Sequence, residues 1–148
     1  MPVRAATAEI RPPRTERELT AAFELRRAVF CGEQRVPGAL EADGRDGEAL
    51  HLVALAGESV IGTCRLLVAA DVARLGRLAV APAHRNRGVG RALLQAAQRQ
   101  ARAAGARRIS LHAQLHAREL YVAEGFGERG RPFREAGIEH VTMDKRLA

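Results

Sequence analysis

The sequence predicts an α/β fold: a sandwich of one mixed sheet and its flanking helices, holding one β–α–β unit. Three observations predict it. Apolar runs of strand character fill residues 50–69 and 138–147. An alanine-rich amphipathic helix spans 88–104, with strand-like runs before it at 75–81 and after it at 108–114. Glycine and proline punctuate the joints between these segments. With 148 residues, 47% of them hydrophobic, the chain is expected to form a single domain over 1–148 around one core.

Residues 3–10 alternate loosely and predict an edge strand, broken by Pro12 and Pro13. Thr15-Glu16-Arg17-Glu18 fits a capping box, in which a hydroxyl and a carboxylate satisfy unpaired N–H groups at a helix start. Leu19, Ala22, Phe23, Arg26, Val29 and Phe30 follow at helical spacing and predict a helix over 16–30. "VPGALEADGRDGEA" reads as a loop, and "LHLVALAGESVIGTCRLLVA" as a hairpin turning at Gly57-Glu58. "LGRLAVAP" is a strand ended by Pro82. In the helix that follows, Val89, Leu93, Ala96, Ala97, Gln100, Ala101 and Ala104 share one face, and Gly105 marks its stop. "RRISLHAQL" is a strand, 116–124 a short helix and "IEHVTMDKRL" the last strand. Residues 125–137 receive no element.

Composition narrows the function. No run approaches the ~20 apolar residues of a membrane helix, and "MPVRAATAEIRPPR" has no apolar stretch of signal-peptide length. A cytoplasmic protein is expected. Cys31 and Cys64 form neither a metal spacing nor a redox pair, so they are expected as reduced packing residues and no metal is expected. The net charge is +7, almost all of the positive charge being arginine, since Lys145 is the sole lysine. Only 3% of residues are aromatic, too few for the stacking platforms of a single-strand nucleic-acid binder. Residues 33–48 stand apart as an acidic island of net −3. It is either a solvated loop or a lure for a cationic ligand.

The stretch "HRNRGVGRALLQAAQRQARAAGA" puts two glycines among arginines where the helix begins. Glycine inside a helix costs about 1 kcal/mol relative to alanine; the usual gain is close approach of a backbone or a bound group. The first turn of a helix offers unpaired N–H groups and about half a positive charge, a natural seat for phosphate. A P-loop would need Gly-Lys-Ser/Thr, which is absent. A dinucleotide fingerprint would need a third glycine where Leu93 stands. What remains is Arg-x-x-Gly-x-Gly before an alanine-rich helix.

With "RRAVFCGEQRVPGALEADGRDGEALH", "GTCRLL", "GRLAVAPAHRNRGVGRALL" and "ISLHAQLHARELYVAEGFGERGRPFREAGIEHVTM", the chain resembles the GNAT superfamily of N-acetyltransferases, and within it the ElaA-like branch, over nearly its whole length. The resemblance implies a largely antiparallel mixed sheet with a splayed central strand pair, acetyl-CoA as co-substrate, and acetyl transfer to a primary amine of a small molecule or peptide. Leu78, Ala79 and Val80 map onto the strand that contacts the pantetheine arm and thioester. Arg85, Asn86, Arg87, Gly88, Val89, Gly90 and Arg91 map onto the diphosphate cradle, and Gln114 is placed beside the cofactor. Tyr121, the only tyrosine, matches the family's general acid near the coenzyme sulfur; a phenol of pKa about 10 keeps its proton at neutral pH. The resemblance also leaves a homodimer open.

A lysine-like acceptor amine of pKa about 10.4 is neutral in only about one molecule in a thousand at pH 7.4, a cost near 4 kcal/mol that a base must offset. The base stays open among Glu33 in "CGEQ", His51 and His140, each placed where it could reach the acceptor cleft, with Glu33 counted among the catalytic residues. Glu33, Asp43 and Asp46 are expected to draw a cationic amine. His84 is expected near the phosphates, and His112 and His116 flank Gln114. Two other classes stand beside the enzyme. A non-catalytic acyl-CoA-binding sensor would keep the glycine loop without needing Tyr121, and a nucleic-acid binder would rest on the charge alone.

Overall fold

In a computed structural model, which describes residues 8–147, the apolar runs become strands of one seven-stranded sheet. They are β1 (Glu9–Arg11), β2 (Leu50–Ala56), β3 (Ser59–Ala69), β4 (Val72–Val80), β5 (Arg108–Gln114), β6 (Gly127–Glu135) and β7 (Ile138–Arg146). The helices are α1 (Glu16–Arg26), α2 (Gly38–Glu41), α3 (Val89–Ala103) and α4 (Arg118–Ala123). The order across the sheet is β1-β2-β3-β4-β5-β7-β6, antiparallel at every pairing except β4–β5. The expected β–α–β unit is β4–α3–β5. Residues 3–7 of the expected first strand lie outside the described residues.

Strand alternation sorts β2 between two layers. Val53 and Leu55 cluster with Ala22 of α1, while Leu52 and Ala54 join the larger core that holds Leu93, Leu94, Ala97 and Ala101 of α3. The alanines let α3 lie close to the sheet. Gly62 on β3 marks the tightest point: a Cβ there would stand 2.9 Å from Leu93 Cδ1 and 3.0 Å from Val89 Cγ1. Ala104, expected on the buried face, is exposed at the helix end, and Gly105 closes it at φ 89°.

The capping box forms with one change of partner. Thr15 Oγ1 accepts from Glu18 N–H (3.1 Å), but the Glu18 carboxylate accepts from Arg14 N–H (2.7 Å), one residue further back. The helix expected over 16–30 divides at Arg26, and Arg27–Glu33 continue as a wide π-type turn. One extra residue per turn moves only the last positions, so apolar spacing over a single turn does not separate the two windings. The wide turn delivers Glu33 and Gln34 to the site. β6 went unassigned because "GERGRPFRE" has no alternation; only Phe133 is even partly buried. Charge, proline and a register shift are how an edge strand avoids pairing with another chain.

β4 and β5 pair only from Val72↔Arg108 to Leu75↔Leu111, yet β4 runs on to Val80 and β5 to Gln114. On the other side of β4 lies a bulge. Thr63 faces Ala79 and Arg65 faces Gly76, which leaves Arg77 and Leu78 opposite Cys64, with Arg77 at φ 55°. A bulge bends its strand and sharpens its twist. Here it accompanies the splay that the family resemblance implied.

Candidate functional site

A cleft of about 1010 Å³ opens where β4 and β5 part. Leu78, Ala79 and Val80 line one wall and Gln114 the other. Beyond Leu75 the β5-facing edge of β4 has no ladder partner, so main-chain polar groups of 76–80 face the cleft. Val80 uses its carbonyl to accept from Arg85 Nε at 3.0 Å.

At the mouth, Gly88 caps α3 in the left-handed conformation (φ 83°), and nothing lies within 4 Å of where its Cβ would be. Ala92 N–H is the first of the helix to find a carbonyl, that of Gly88 at 3.0 Å. The N–H groups of 88–91 have no acceptor among the described residues. Gly90 differs, because its Cβ would meet Val80 and Leu120 at 3.8 Å, an ordinary contact. Arg85, Asn86, Val89, Gly90 and Arg91 line the cleft with Gly88 and His84, Val89 being otherwise buried. Arg87 is exposed and stands outside the cleft lining. Arg91 bonds Glu124 at 2.6 Å.

Tyr121 sits at the inner end, 8% exposed, edge-on to Phe126 with ring centres 5.9 Å apart. Burial, with a smaller contribution from Cys64, pushes its phenol up to about 12. Its hydroxyl has no hydrogen-bond partner among the described residues and is not a sealed orphan, so it opens on the cleft it lines. Cys64 is buried and unbridged, and desolvation raises its thiol to about 12 as well, which makes it an inert neighbour.

The residues expected to serve the acceptor divide. Glu33 lines the cleft, but both its oxygens accept from Arg85 (2.7 and 2.8 Å), and that guanidinium holds its carboxyl below the usual range. A carboxylate so stabilised is a weaker proton acceptor than the sequence suggested. His140 is buried on the cleft wall, its Nδ1–H donating to Ile138 O at 2.7 Å. Its ring stacks on Phe133, which also meets His112 edge-on at 4.9 Å. His51 is elsewhere: it contacts Phe23 of α1 and the Asp46 carbonyl (2.9 Å), beside a separate hollow of about 240 Å³. One residue of offset on β2 decides which layer a side chain enters. Asp43 reaches the cleft and Asp46 does not, and both are bonded to Arg65. Neither is a free lure for a cation. His116 lines the cleft too.

Three residues carry weight that sequence reading missed. Gln34 exchanges amide hydrogen bonds with Gln114 (2.8 and 3.4 Å) and so ties the wide turn to β5. Glu135 faces His112 and His140, and Arg74 lines the cleft. Gln34 adjoins Glu33 in "CGEQ", the one local hint. Among the described residues no cluster of His, Cys, Asp and Glu has the makings of a metal site, and no helix is long and apolar enough to cross a membrane.

The sequence matches the family model described as an acetyltransferase (GNAT) domain over residues 12–147. It is 34% identical over 133 residues to the uncharacterized N-acetyltransferase YjcF of Bacillus subtilis (strain 168), covering 89% of this chain and 95% of that protein. The crystal structure of Escherichia coli ElaA superposes with a TM-score of 0.83 at 25% identity, covering 93% of this chain and 99% of that one. An aminoglycoside 6'-N-acetyltransferase complexed with coenzyme A shares the fold at a TM-score of 0.78 and 13% identity, over 95% and 97% of the two chains.

Proposed function

The chain belongs to the GNAT acetyltransferase family, and on that premise we propose that it moves an acetyl group from acetyl-coenzyme A directly to a primary amine. One observation carries this reading. The unpaired edge of β4, the open first turn of α3 and the buried Tyr121 all face one cleft. The residues present fit the coenzyme: the N–H groups of 88–91 have no acceptor among the described residues and the space a Cβ at Gly88 would fill is open, and an anionic diphosphate is favoured at such a helix start. An aminoglycoside 6'-N-acetyltransferase that shares the fold was solved complexed with coenzyme A, which supports coenzyme binding by this fold.

Bound acetyl-coenzyme A supplies an activated acetyl thioester whose leaving group is a thiolate. The chain's own contributions follow from its geometry. Arg85, Asn86, Gly88, Val89, Gly90 and Arg91 would hold the diphosphate at the cleft mouth. Leu78, Ala79 and Val80 present backbone to the pantetheine arm, where a free N–H polarises a carbonyl as an oxyanion donor does. Gln114, clamped by Gln34, limits the width of the opposite wall. Tyr121 holds its proton at Oη for the departing sulfur, and its raised pKa keeps that proton available at every physiological pH. Glu33 holds Arg85 across the mouth and acts as a positioning residue. His140 is oriented with Nδ1 protonated, which leaves Nε2 as the ring atom able to take a proton.

The test is calorimetric titration with acetyl-coenzyme A, followed by thiol release over a panel of amines. Binding that Gly88→Ala weakens, with turnover of at least one amine, is the expected result. No heat of binding and no thiol release would remove the proposal.

A further inference from the structure

The acidic island looks like a cation trap in the sequence, but the fold neutralises it. Glu41 accepts from Arg26 Nε at 2.8 Å. Asp46 accepts from Arg26 (2.8 Å) and Arg65 (3.0 Å). Asp43 is bonded to Arg65 and lies 3.4 Å from Arg77. Three carboxylates thus meet three guanidinium groups, and the nearby Arg45 is taken by Glu48 at 2.8 Å. Nothing anionic is left over from the island for a ligand.

Two charges that line the cleft remain. Arg74 sits opposite Leu67 on β3 and Ser110 on β5, one residue before the last β4–β5 pair, at the apex of the splay. It lines the cleft, is exposed, and has no carboxylate partner among the described residues. Glu135 faces His112 Nδ1 at 3.2 Å and His140 Nε2 at 3.8 Å. Ser110 and His112 are two residues apart, about 7 Å of strand, so a cation beside Ser110 and an anion bonded to His112 flank neighbouring positions of β5 in one cleft.

Resting on the transfer reading above, we propose that the acceptor is an amine that itself carries an anionic group, a carboxylate or a phosphate, and that Arg74 seats that group. A guanidinium offers a planar pair of donors to either anion. The ammonium end meets Glu135 and the two histidines, the side of the cleft where a proton must be taken up. A polycation finds no free carboxylate cluster and meets Arg74 instead.

The experiment measures acceptor binding to the coenzyme A-loaded protein by calorimetry, beside thiol release with acetyl-coenzyme A. The carboxylate arm compares β-alanine with β-alaninamide. The phosphate arm compares glucosamine 6-phosphate with glucosamine. Spermidine and tobramycin serve as polycations. In at least one arm the probe that carries the anionic group is expected to bind about tenfold or more tightly than its counterpart without that group, and the arm showing the larger gap identifies the anion. Arg74→Gln should abolish that gap and leave coenzyme A affinity and melting temperature unchanged. No gap in either arm, a gap that survives Arg74→Gln, or preference for the polycations overturns the inference and leaves acetyl transfer standing. Failure of coenzyme A to bind overturns the transfer reading by itself, and the acceptor comparison on the unloaded protein then decides the Arg74 site alone.

Discussion

Replacing Tyr121 with phenylalanine separates its chemical role from its packing role. The ring is 8% exposed and packs on Phe126, and its hydroxyl has no partner among the described residues. Removing one oxygen therefore breaks no contact, and stability at pH 7 should change by less than about 0.5 kcal/mol, within ~2 °C in melting temperature. Turnover should fall by a factor of about 10² to 10⁴, the usual worth of a positioned acid, or roughly 3–5 kcal/mol of barrier. A second effect appears in alkali. In the fold the phenol is pushed up from 10.0 to about 12. Between those values the unfolded chain has lost a proton that the native state keeps. Stability is whole below pH 10 and declines as pH rises through 12, by up to about 3 kcal/mol. Cys64 declines in the same sense from 9.0 to about 12 and persists in the variant, so the difference between the two proteins isolates Tyr121. Thiol-release kinetics at pH 7 and denaturant melts at pH 8 and 11 measure both effects. A variant that keeps turnover within about threefold would refute the acid assignment.

Glu33→Gln should leave stability within about 1 kcal/mol, because the pair it breaks is largely exposed. It frees Arg85 for the diphosphate and should tighten coenzyme A by up to about fivefold at low salt; a fall in kcat of about a hundredfold, read by thiol release, would instead make Glu33 the base. Gly62→Ala forces a methyl to within 2.9 Å of Leu93 Cδ1 and 3.3 Å of Ala54 Cβ. It should cost about 1–3 kcal/mol, some 3–9 °C by calorimetry. Gly88→Ala meets open space, so its cost is the left-handed backbone alone, about 1–2 kcal/mol, with a weaker coenzyme titration as its signature.

The glycine-loop side of the cleft was far more legible than the side across from it. Gly88, Val89 and Tyr121 belong to two short segments that a local pattern marks, and a helix start is specified by the few residues around it. The contacts across the cleft have no such locality. Arg26 meets Glu41 across 15 positions, Arg65 meets Asp43 across 22 and Gln34 meets Gln114 across 80. His51 and Asp46 looked like site residues because polarity is visible in a sequence and direction is not.

The amino-acid order alone determined the β–α–β unit, the hairpin, the capped helices and the glycine loop that opens α3, because hydrophobic period, capping and glycine placement act over a few bonds. Only the tertiary structure decided that β4 and β5 part after Leu75, that a bulge at Arg77 and Leu78 accompanies the parting, and that the island's acids are matched by buried arginines. Charge cancellation and strand register depend on which distant groups come within a few ångströms, and that distance exists only once the chain has folded.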